Sequence, residues 1–345
     1  MSDGTRQIEE QAATYIDKLH GAQRQINRVI VGQQNLIEEI FACLLSGGHA
    51  LLEGVPGLGK TMLIRVFGET MDLQATRVQF TPDLMPADIL GTNTLVQDDL
   101  GNQQITFRRG PVFTQILLAD EINRATPKTQ SALLEAMQEQ RVTIGGTSYD
   151  LTPPFIVLAT QNPLELEGTY PLPEAQLDRF FFKLHVDYPS TTEMMQILNR
   201  TTGAQEPTVE QALSGAEIQE MQRFVRSIAV SEDLQRYAVR LVFATHPPRS
   251  RSEGDNGDSG EAAPELVRDF VRYGASPRGA QSLILAGKVF ALLDGRFHVA
   301  PEDIRRAAHP ALRHRIVLNF RGEAEGLNSD AVIDELLAVV PAQES

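Results

Sequence analysis

The sequence predicts an α/β fold in which a parallel sheet sandwiched by helices forms residues 1–189 and an all-α lid domain forms residues 190–345. Three observations support this prediction. A glycine-rich loop at 54–61 lies between an apolar strand and a helical pattern, and a second apolar strand at 115–121 ends in two carboxylates. After Tyr188-Pro189 no further strand is convincing, and helical periodicity continues to about residue 340. Pro189 is therefore the predicted domain boundary.

The loop Gly54-Val55-Pro56-Gly57-Leu58-Gly59-Lys60-Thr61 matches the phosphate-loop pattern Gly-x4-Gly-Lys-Ser/Thr of P-loop NTPases. Its glycines allow backbone N–H groups to face phosphate oxygens, and the following helix adds the partial positive charge of its N-terminus. Lys60 is expected to reach the β- and γ-phosphates of ATP, and the Thr61 hydroxyl is expected to bind Mg²⁺. The nucleotide contacts predicted here are Gly54, Pro56, Gly57, Leu58, Gly59, Lys60, Thr61 and Met62.

Composition limits the partners and the compartment. A net charge of -14 and an isoelectric point near 5.0 argue against a broad contact with a nucleic-acid backbone. Cys43 is the only cysteine, so no internal disulfide is expected, and its apolar helical surroundings predict a core position. No basic-then-apolar leader is visible, and no apolar run reaches the ~20 residues that a membrane helix needs. The sequence therefore predicts a soluble, cytoplasmic protein without a membrane span.

An N-terminal helix is predicted over residues 5–28, where apolar residues recur at helical spacing. It leads into Val29-Ile30-Val31-Gly32. Apolar residues followed by a glycine just upstream of a phosphate loop are expected to form one wall of an adenine pocket, so Val31 and Gly32 are candidate nucleotide contacts. An ordinary turn before the next helix is the alternative.

The apolar strand at 115–119 is followed by Asp120 and Glu121, which has the form of a Walker B element. Asp120 is expected to hold Mg²⁺ through water. Glu121 is expected to orient and polarise the attacking water, because phosphoryl transfer depends mainly on positioning and electrostatics. A strand end capped by two solvated acids is the alternative.

Two β-hairpins are predicted on either side of the helix at 128–140. The sequence pairs 94–97 with 104–107 around the turn 98–102, and 142–144 with 148–151 around Gly145-Gly146. Hairpins inserted into a nucleotide-binding sheet are more often working loops than parts of the core.

Asn162 and Arg179 are candidate catalytic residues at strand ends. Asn162 follows the apolar strand at 155–160, so its amide is expected to contact the γ-phosphate or the attacking water, the sensor-1 role; a plain Asn-Pro turn is the alternative. Arg179 precedes the last strand, a place from which an arginine often projects toward the γ-phosphate of a neighbouring subunit. An ion pair of Arg179 with Asp178 or Glu174 is the alternative.

Two further features belong to the helical part. Residues 249–264 are rich in glycine, serine and acids without apolar anchors, and predict a flexible surface insertion. Ser276 and Pro277 predict the cap and first residue of a helix, which puts Arg278 in its first turn. A cation is disfavoured at this positive helix end, so Arg278 needs an anionic partner: a bound triphosphate, the sensor-2 role, or a surface carboxylate.

Several of these segments together resemble the MoxR family of AAA+ ATPases. The resemblance extends from about Val31 to about Arg315, and the long polar segment at 249–264 departs from a compact lid. The segments that carry it are Pro82–Gly91, Asp120–Ala125, Ala159–Pro163, Gly168–Phe180 and Ser276-Pro277-Arg278.

The resemblance implies an AAA+ domain with both hairpins as insertions, assembled into a homo-oligomeric ring that is usually a hexamer. It implies ATP-driven chaperone activity in the maturation or metal-centre assembly of client proteins, often with a partner that carries a von Willebrand factor A domain. The lid can be rotated in this branch, so an action of Arg278 on its own nucleotide and one on a neighbour's both remain open. The implied roles are phosphate and Mg²⁺ binding for Lys60 and Thr61, metal and water for Asp120 and Glu121, sensor 1 for Asn162, arginine finger for Arg179 and sensor 2 for Arg278.

The sequence is less consistent with three other functional hypotheses. Helicase-type nucleic-acid motors share the inserted hairpins, but here only Arg108 and Arg109 lie at the hairpin base and Asp98 and Asp99 lie at its tip, which disfavours a grip on DNA. An ATP-switched scaffold without turnover is disfavoured by the intact Glu121. Sigma-factor activators are disfavoured because no Gly-Ala-Phe-Thr-Gly-Ala loop occurs.

Overall fold

The computed structural model describes residues 3–55, 57–97, 102–163, 168–203, 207–248 and 264–342. The helices are α1 (Asp3–Val29), α2 (Gln34–Ser46), α3 (Lys60–Met71), α4 (Pro86–Leu90), α5 (Pro127–Glu139), α6 (Glu174–Leu177), α7 (Thr191–Thr201), α8 (Gly215–Ser227), α9 (Glu232–Ala244), α10 (Glu265–Phe270), α11 (Pro277–Leu293), α12 (Pro301–Leu312), α13 (Phe320–Ala324) and α14 (Ser329–Val339). The strands are β1 (Ala50–Glu53), β2 (Ala75–Gln79), β3 (Gly91–Gln97), β4 (Gln103–Arg109), β5 (Ile116–Asp120), β6 (Arg141–Ile144), β7 (Thr147–Asp150), β8 (Ile156–Gln161), β9 (Phe182–His185), β10 (Val271–Tyr273) and β11 (Val317–Leu318).

A parallel sheet with the strand order β2-β5-β8-β1-β9 forms the centre of the first domain. β1 therefore lies between β8 and β9, and β5 lies between β2 and β8. Because all five strands are parallel, their carboxyl ends share one edge of the sheet, where nucleotides bind in open α/β folds. The predicted parallel sheet is confirmed.

Side chains of the strands alternate between two apolar clusters, one on each face of the sheet. Leu52, Leu118 and Leu158 belong to a large cluster with α1, α2 and α3 that continues through α8, α11 and α12. Leu51 and Leu117 belong to a smaller cluster with α5 on the other face. The sheet is thus covered by helices on both sides, which explains why its strands read as continuous apolar runs.

Both predicted hairpins are confirmed. β3 and β4 form an antiparallel pair in which Leu95 lies opposite Ile105, and the predicted turn residues 98–101 lie outside the described residues. β6 and β7 form the second antiparallel pair. The ring of Phe107 stacks on that of Tyr149 at 4.1 Å, which joins the two hairpins.

The helical character of the second half is confirmed, with one correction. The expectation of no further strand is wrong for two short segments, because β10 and β11 form an antiparallel pair with an irregular register between Val271 and Tyr273. Strands of three and two residues are too short for period-2 alternation to show in a sequence. Residues 249–263 of the predicted insertion lie outside the described residues, and the division at Pro189 stays a prediction. No helix within the described ranges is long and apolar enough to cross a membrane.

Candidate nucleotide site

The phosphate loop lies between the carboxyl end of β1 and the first turn of α3. Gly57 and Gly59 adopt left-handed φ angles of 86° and 77°, which other residues rarely tolerate. A Cβ atom at either glycine would meet nothing within 4 Å, so the space beside the loop is open. Pro56 lies outside the described residues. The loop and the helix N-terminus thus border open space, as a phosphate group requires.

The side chain of Lys60 lies across this loop. Its Nζ atom donates a hydrogen bond of 2.6 Å to the carbonyl oxygen of Gly54. Burial lowers the pKa of Lys60, while the carboxylates of Asp120, Glu121 and Glu53 oppose this shift by favouring the ammonium form. A partly desolvated cation held at the loop suits the β- and γ-phosphates of a nucleoside triphosphate.

A cavity of about 390 Å³ adjoins the loop. Its size and its mainly apolar walls with few polar groups suit an adenine base and a ribose. The predicted contacts that line it are Val31, Gly57, Leu58, Gly59, Lys60 and Met62. The sequence did not single out the opposite wall, which follows β9 and includes α7: Val186, Asp187, Tyr188, Pro189, Met194, Ile197, Arg200 and Thr201.

Three predicted nucleotide contacts do not line this cavity. Gly54 begins the loop, and its N–H donates to the carbonyl oxygen of Gln161 at 3.4 Å. Thr61 lines a neighbouring cavity of about 490 Å³. Gly32 has a φ of 66°, and a Cβ atom there would collide with the carboxylate of Glu193 at the start of α7. The Glu193 side chain could move aside, so the left-handed φ angle is what favours glycine in this turn, whatever its role toward a nucleotide.

Asp120 ends β5 and accepts hydrogen bonds on both carboxylate oxygens. Oδ1 accepts from Thr160 Oγ1 at 2.6 Å, and Oδ2 accepts from Arg77 Nε at 3.0 Å and Nη2 at 2.6 Å. The Thr160 hydroxyl also accepts from the backbone N–H of Glu121 at 2.8 Å. One hydroxyl on β8 therefore orients both acidic residues.

Glu121 is held by two other side chains. Its φ of 56° is left-handed, which turns the chain sharply out of β5. Gln79 Nε2 donates to its Oε2 at 2.6 Å, and Arg124 Nε lies 3.0 Å from the same oxygen. These contacts fix the carboxylate at the carboxyl edge of the sheet, close to the phosphate loop.

Asn162 lies at the same edge and is buried, with 7 % of its surface exposed. It follows β8, whose last residue, Gln161, pairs with Glu53 of β1. Asn162 is therefore level with Gly54 and lies between the phosphate loop and the acidic end of β5. This position agrees with the sensor-1 role, which stays a prediction.

The donor atoms assigned to Mg²⁺ are the Thr61 hydroxyl and the Asp120 carboxylate. Both are hard oxygen donors of the kind that Mg²⁺ prefers, and Mg²⁺ usually combines one or two carboxylates with substrate phosphates. The described residues contain no group of three His, Cys, Asp or Glu side chains that could hold a metal without such phosphates. The residues present fit a metal that binds together with a nucleotide.

Arg179 and Arg278 lie together, but away from the phosphate loop. They line one surface cavity of about 260 Å³ with Gly48 and His49, and neither lines the cavity at the loop. Arg179 is exposed, its Nη1 lies 3.4 Å from the carbonyl oxygen of Leu134, and no ion pair joins it to another described residue. Arg278 follows the predicted cap, and Ser276 Oγ accepts from its backbone N–H at 3.2 Å.

The two ends of β1 separate these arginines from the phosphate loop. The N–H of Phe181 donates to the carbonyl oxygen of His49 at 2.8 Å, which fixes the Arg179 loop at the amino edge of the sheet. The phosphate loop begins after Glu53 at the carboxyl edge. Since a strand advances ~3.3 Å per residue, the two positions are on the order of 15 Å or more apart. Both arginines therefore lie at the edge of the sheet opposite to their own phosphate loop and line a different cavity.

Sequence reasoning missed Arg77, Gln79 and Thr160. Arg77 and Gln79 are polar residues at alternate positions of β2, and this pattern could have indicated them. The pattern becomes informative only once β2 is known to lie beside β5. Thr160 ends an apolar run in the sequence, and the signal that could have found it is a hydroxyl at the end of a strand that lies next to the acidic strand β5. The carboxylate partner of Arg278 is Asp178, whose Oδ2 lies 3.3 Å from Nη1, and this is the alternative that the sequence left open.

Comparisons with known proteins agree with this geometry. Residues 49–182 match the ATPase family associated with various cellular activities (AAA), and residues 264–336 match the AAA lid domain. A crystal structure of a candidate ATPase from Cytophaga hutchinsonii superposes with a TM-score of 0.88 and 39% identity, and covers 99% of this chain and 100% of that one.

Two curated relatives identify the family. The protein named Chaperone MoxR1 from Mycobacterium tuberculosis is 42% identical over 331 residues, which cover 96% of this chain and 84% of the relative. Protein MoxR from Paracoccus denitrificans is 31% identical, with 94% and 96% of the two chains covered. The chain belongs to the MoxR family of AAA+ ATPases.

Proposed function

We propose that this protein hydrolyses ATP with Mg²⁺ in a homo-oligomeric ring, a hexamer, in the cytoplasm, and that it uses the reaction to remodel client proteins. The observation that carries this proposal is the separation of Arg179 and Arg278 from the phosphate loop of the same chain. A complete hydrolytic site then needs the loop of one copy and the arginines of another.

The roles of this chain's own residues follow from their chemistry. Bound ATP supplies the phosphoanhydride bond and Mg²⁺ neutralises phosphate charge. Lys60 binds phosphate oxygens, the Thr61 hydroxyl provides a metal ligand, and Asp120 holds the metal through water. Glu121 accepts a hydrogen bond from the attacking water and Asn162 donates one to it or to the γ-phosphate. Arg179 and Arg278 act on the nucleotide of a neighbouring copy, where they stabilise the charge that develops during transfer.

The client activity rests on the family. A relative that shares 42% of its residues over nearly the whole chain is named a chaperone. We propose the same class of activity here: maturation or metal-centre assembly of client proteins, with a partner that carries a von Willebrand factor A domain.

The dependence of hydrolysis on assembly is the first experimental test. ATPase activity per protomer is measured across a dilution series, with the mass of the particles determined in the same buffer with MgATP. Activity is expected to fall as larger particles dissociate. Full activity in a monomer would overturn the shared site.

A trapping experiment tests the client activity. Tagged Glu121→Gln protein with MgATP is the trap and Lys60→Ala protein is the control, and the proteins retained from native cell extract are identified by mass spectrometry. Retention of a von Willebrand factor A domain protein by the trap alone supports the proposal. Retention of replication or transcription proteins instead would favour a nucleic-acid motor.

A further inference from the structure

Asp178 connects the Arg179 loop to the lid helices. Its Oδ1 accepts hydrogen bonds from Ser276 Oγ at 2.8 Å and from Arg315 Nε at 2.8 Å. Its Oδ2 lies 3.3 Å from Nη1 of Arg278. One carboxylate, directly before Arg179 in the chain, therefore contacts the first turn of α11 and the segment after α12.

The contact with Arg315 is the buried one. The Arg315 side chain is 2% exposed, and its Nη2 also donates to the backbone oxygens of Asp178 at 3.2 Å and Phe180 at 2.8 Å. Its Nη1 donates to the backbone oxygen of Phe181 at 3.2 Å. Burial lowers the pKa of Arg315, and the Asp178 carboxylate opposes this shift. A buried cation with this many acceptors cannot leave Asp178 without a large loss of hydrogen bonding.

The contact with Arg278 is more exposed and longer. The Arg278 side chain is 47% exposed, and it approaches Oδ2 through one nitrogen at the long distance of 3.3 Å. A half-exposed, monodentate pair of this kind contributes little to stability. Because Arg315 already neutralises Asp178, Arg278 is held in place but is not bound tightly.

We propose that Asp178 is a positioning residue: it holds Arg278 beside Arg179, and Arg278 exchanges the Asp178 carboxylate for the triphosphate of a neighbouring copy. This inference rests on the proposed function, because it requires a site shared between two chains. Ser276 supports the same geometry, since its hydroxyl donates to Asp178 while it accepts from the N–H of Arg278. Asp178 acts through Arg278 and does not touch the nucleotide.

The test is a double-mutant cycle with Asp178→Asn and Arg278→Ala in the assembled protein. Asparagine keeps an Oδ1 acceptor for Arg315 and Ser276 but removes the charge that holds Arg278. Asp178→Asn is expected to lower kcat roughly two- to fivefold, as the loss of an exposed ion pair allows. The affinity for MgATP is expected to stay unchanged, because the phosphate loop lies at the other edge of the sheet. In the Arg278→Ala background the same change is expected to have no further effect.

Matched variants separate positioning from a structural role. Asp294→Asn is the control, because Asp294 also pairs with two arginines, Arg296 at 2.9 Å and Arg306 at 3.6 Å, on the lid surface. It is expected to leave kcat unchanged. Asp178→Glu keeps the charge and is expected to retain more activity than Asp178→Asn. If the asparagine variant does not fold, the activity of Asp178→Glu is compared with that of Arg278→Ala instead, and it is expected to be higher.

The outcomes distinguish this inference from the proposed function. Fully additive losses in the cycle, or equal losses in Asp178→Asn and Asp178→Glu, would overturn the positioning role. If Arg278→Ala alone leaves hydrolysis intact, Arg278 does not act on a nucleotide, and the inference fails even if Arg179→Ala is inactive. If neither arginine variant affects hydrolysis, the shared site itself is wrong.

Discussion

The Nζ atom of Lys60 donates a 2.6 Å hydrogen bond to the carbonyl oxygen of Gly54, so that the loop holds its own cation. This contact closes the phosphate loop on itself. A phosphate group would offer Lys60 negatively charged acceptors in place of one neutral carbonyl, which adds the attraction between opposite charges to the hydrogen bond.

Removal of this amine is expected to weaken nucleotide binding strongly. Lys60→Ala deletes the contacts to the β- and γ-phosphates, and a loss of roughly 100-fold in affinity for MgATP is expected from two charge-assisted hydrogen bonds. Titration calorimetry measures it. Lys288→Ala is the matched control, because Lys288 Nζ also donates to a backbone oxygen, that of Arg226, at 2.8 Å. Equal losses in both variants would count against Lys60 as a phosphate ligand.

Glu121→Gln is expected to separate binding from hydrolysis. Glutamine can still accept from Gln79 but is a far weaker acceptor for the proton of the attacking water, so kcat is expected to fall by roughly 100-fold or more. The Kd for MgATP is expected to change less than about threefold, since Glu121 is not a phosphate ligand. Phosphate release and nucleotide titration are measured on the same preparation. Turnover close to that of the unmodified protein would remove Glu121 from the mechanism.

Arg179→Ala is expected to leave MgATP binding nearly intact and to lower turnover strongly, by roughly 10³-fold as for other arginine fingers. Mixing it with Lys60→Ala protein provides the sharper readout. Lys60→Ala copies retain Arg179, and Arg179→Ala copies retain a working loop, so mixed particles contain complete sites. Activity is expected to recover on mixing two inactive preparations. A mixture that stays inactive, although exchange of subunits is shown by mass, would argue against a shared site.

Asp303 is expected to be a major stabilising residue of the lid. It is 1% exposed and accepts from Arg296 Nη1 at 2.8 Å, from Arg296 Nη2 at 2.6 Å and from the N–H of Ala300 at 2.7 Å. Asp303→Ala removes these three hydrogen bonds and leaves Arg296 only its contacts with Asp294 and the carbonyl oxygen of His298, so a loss of about 2 kcal/mol in the free energy of unfolding is expected. Urea unfolding measures it. Asp269→Ala, which breaks the exposed pair with Arg268, should cost much less; equal costs would contradict this account.

Glu39 is expected to make stability depend on pH. Burial raises its pKa from 4.5 to about 7, although Arg313 opposes the shift. Between these values the folded state binds more protons than the unfolded state, so the contribution of Glu39 to stability is lost as the pH rises from 4.5 to 7. Glu39→Gln removes this dependence. The free energy of unfolding of the variant is expected to exceed that of the unmodified protein by up to about 3 kcal/mol at pH 8 and to match it near pH 4.5.

Unfolding curves of the two proteins at several pH values test this expectation. Their difference isolates Glu39 from other groups, such as His49, whose pKa burial lowers to about 4. The His49 contribution has the opposite sign, because it is lost as the pH falls below 6.5. A difference that does not change with pH would show that Glu39 is ionised in the folded protein.

The parts that could be predicted from the sequence are those that local spacing determines. Three features are each complete within about ten residues: the phosphate loop with Lys60, the strand that ends in Asp120 and the cap at Ser276. The helices and hairpins around them follow from periodicity and turn residues. The contacts of Gln79 with Glu121 and of Asp178 with Arg315 depend on strand order and on lid packing. No pattern in a single sequence specifies these, because the partners lie 42 and 137 positions apart.

If sites are shared between copies as proposed, the placement of the phosphate loop and the Arg179–Arg278 pair at opposite edges of one sheet limits how copies can join. A two-fold dimer uses one patch on both subunits, so it cannot complete two sites whose halves face away from each other. Copies must then add head to tail, and each addition leaves one loop and one arginine pair uncovered until the first copy meets the last. Closure therefore increases the number of complete sites by one without adding a subunit, which makes an open chain of copies less active per protomer than a closed one.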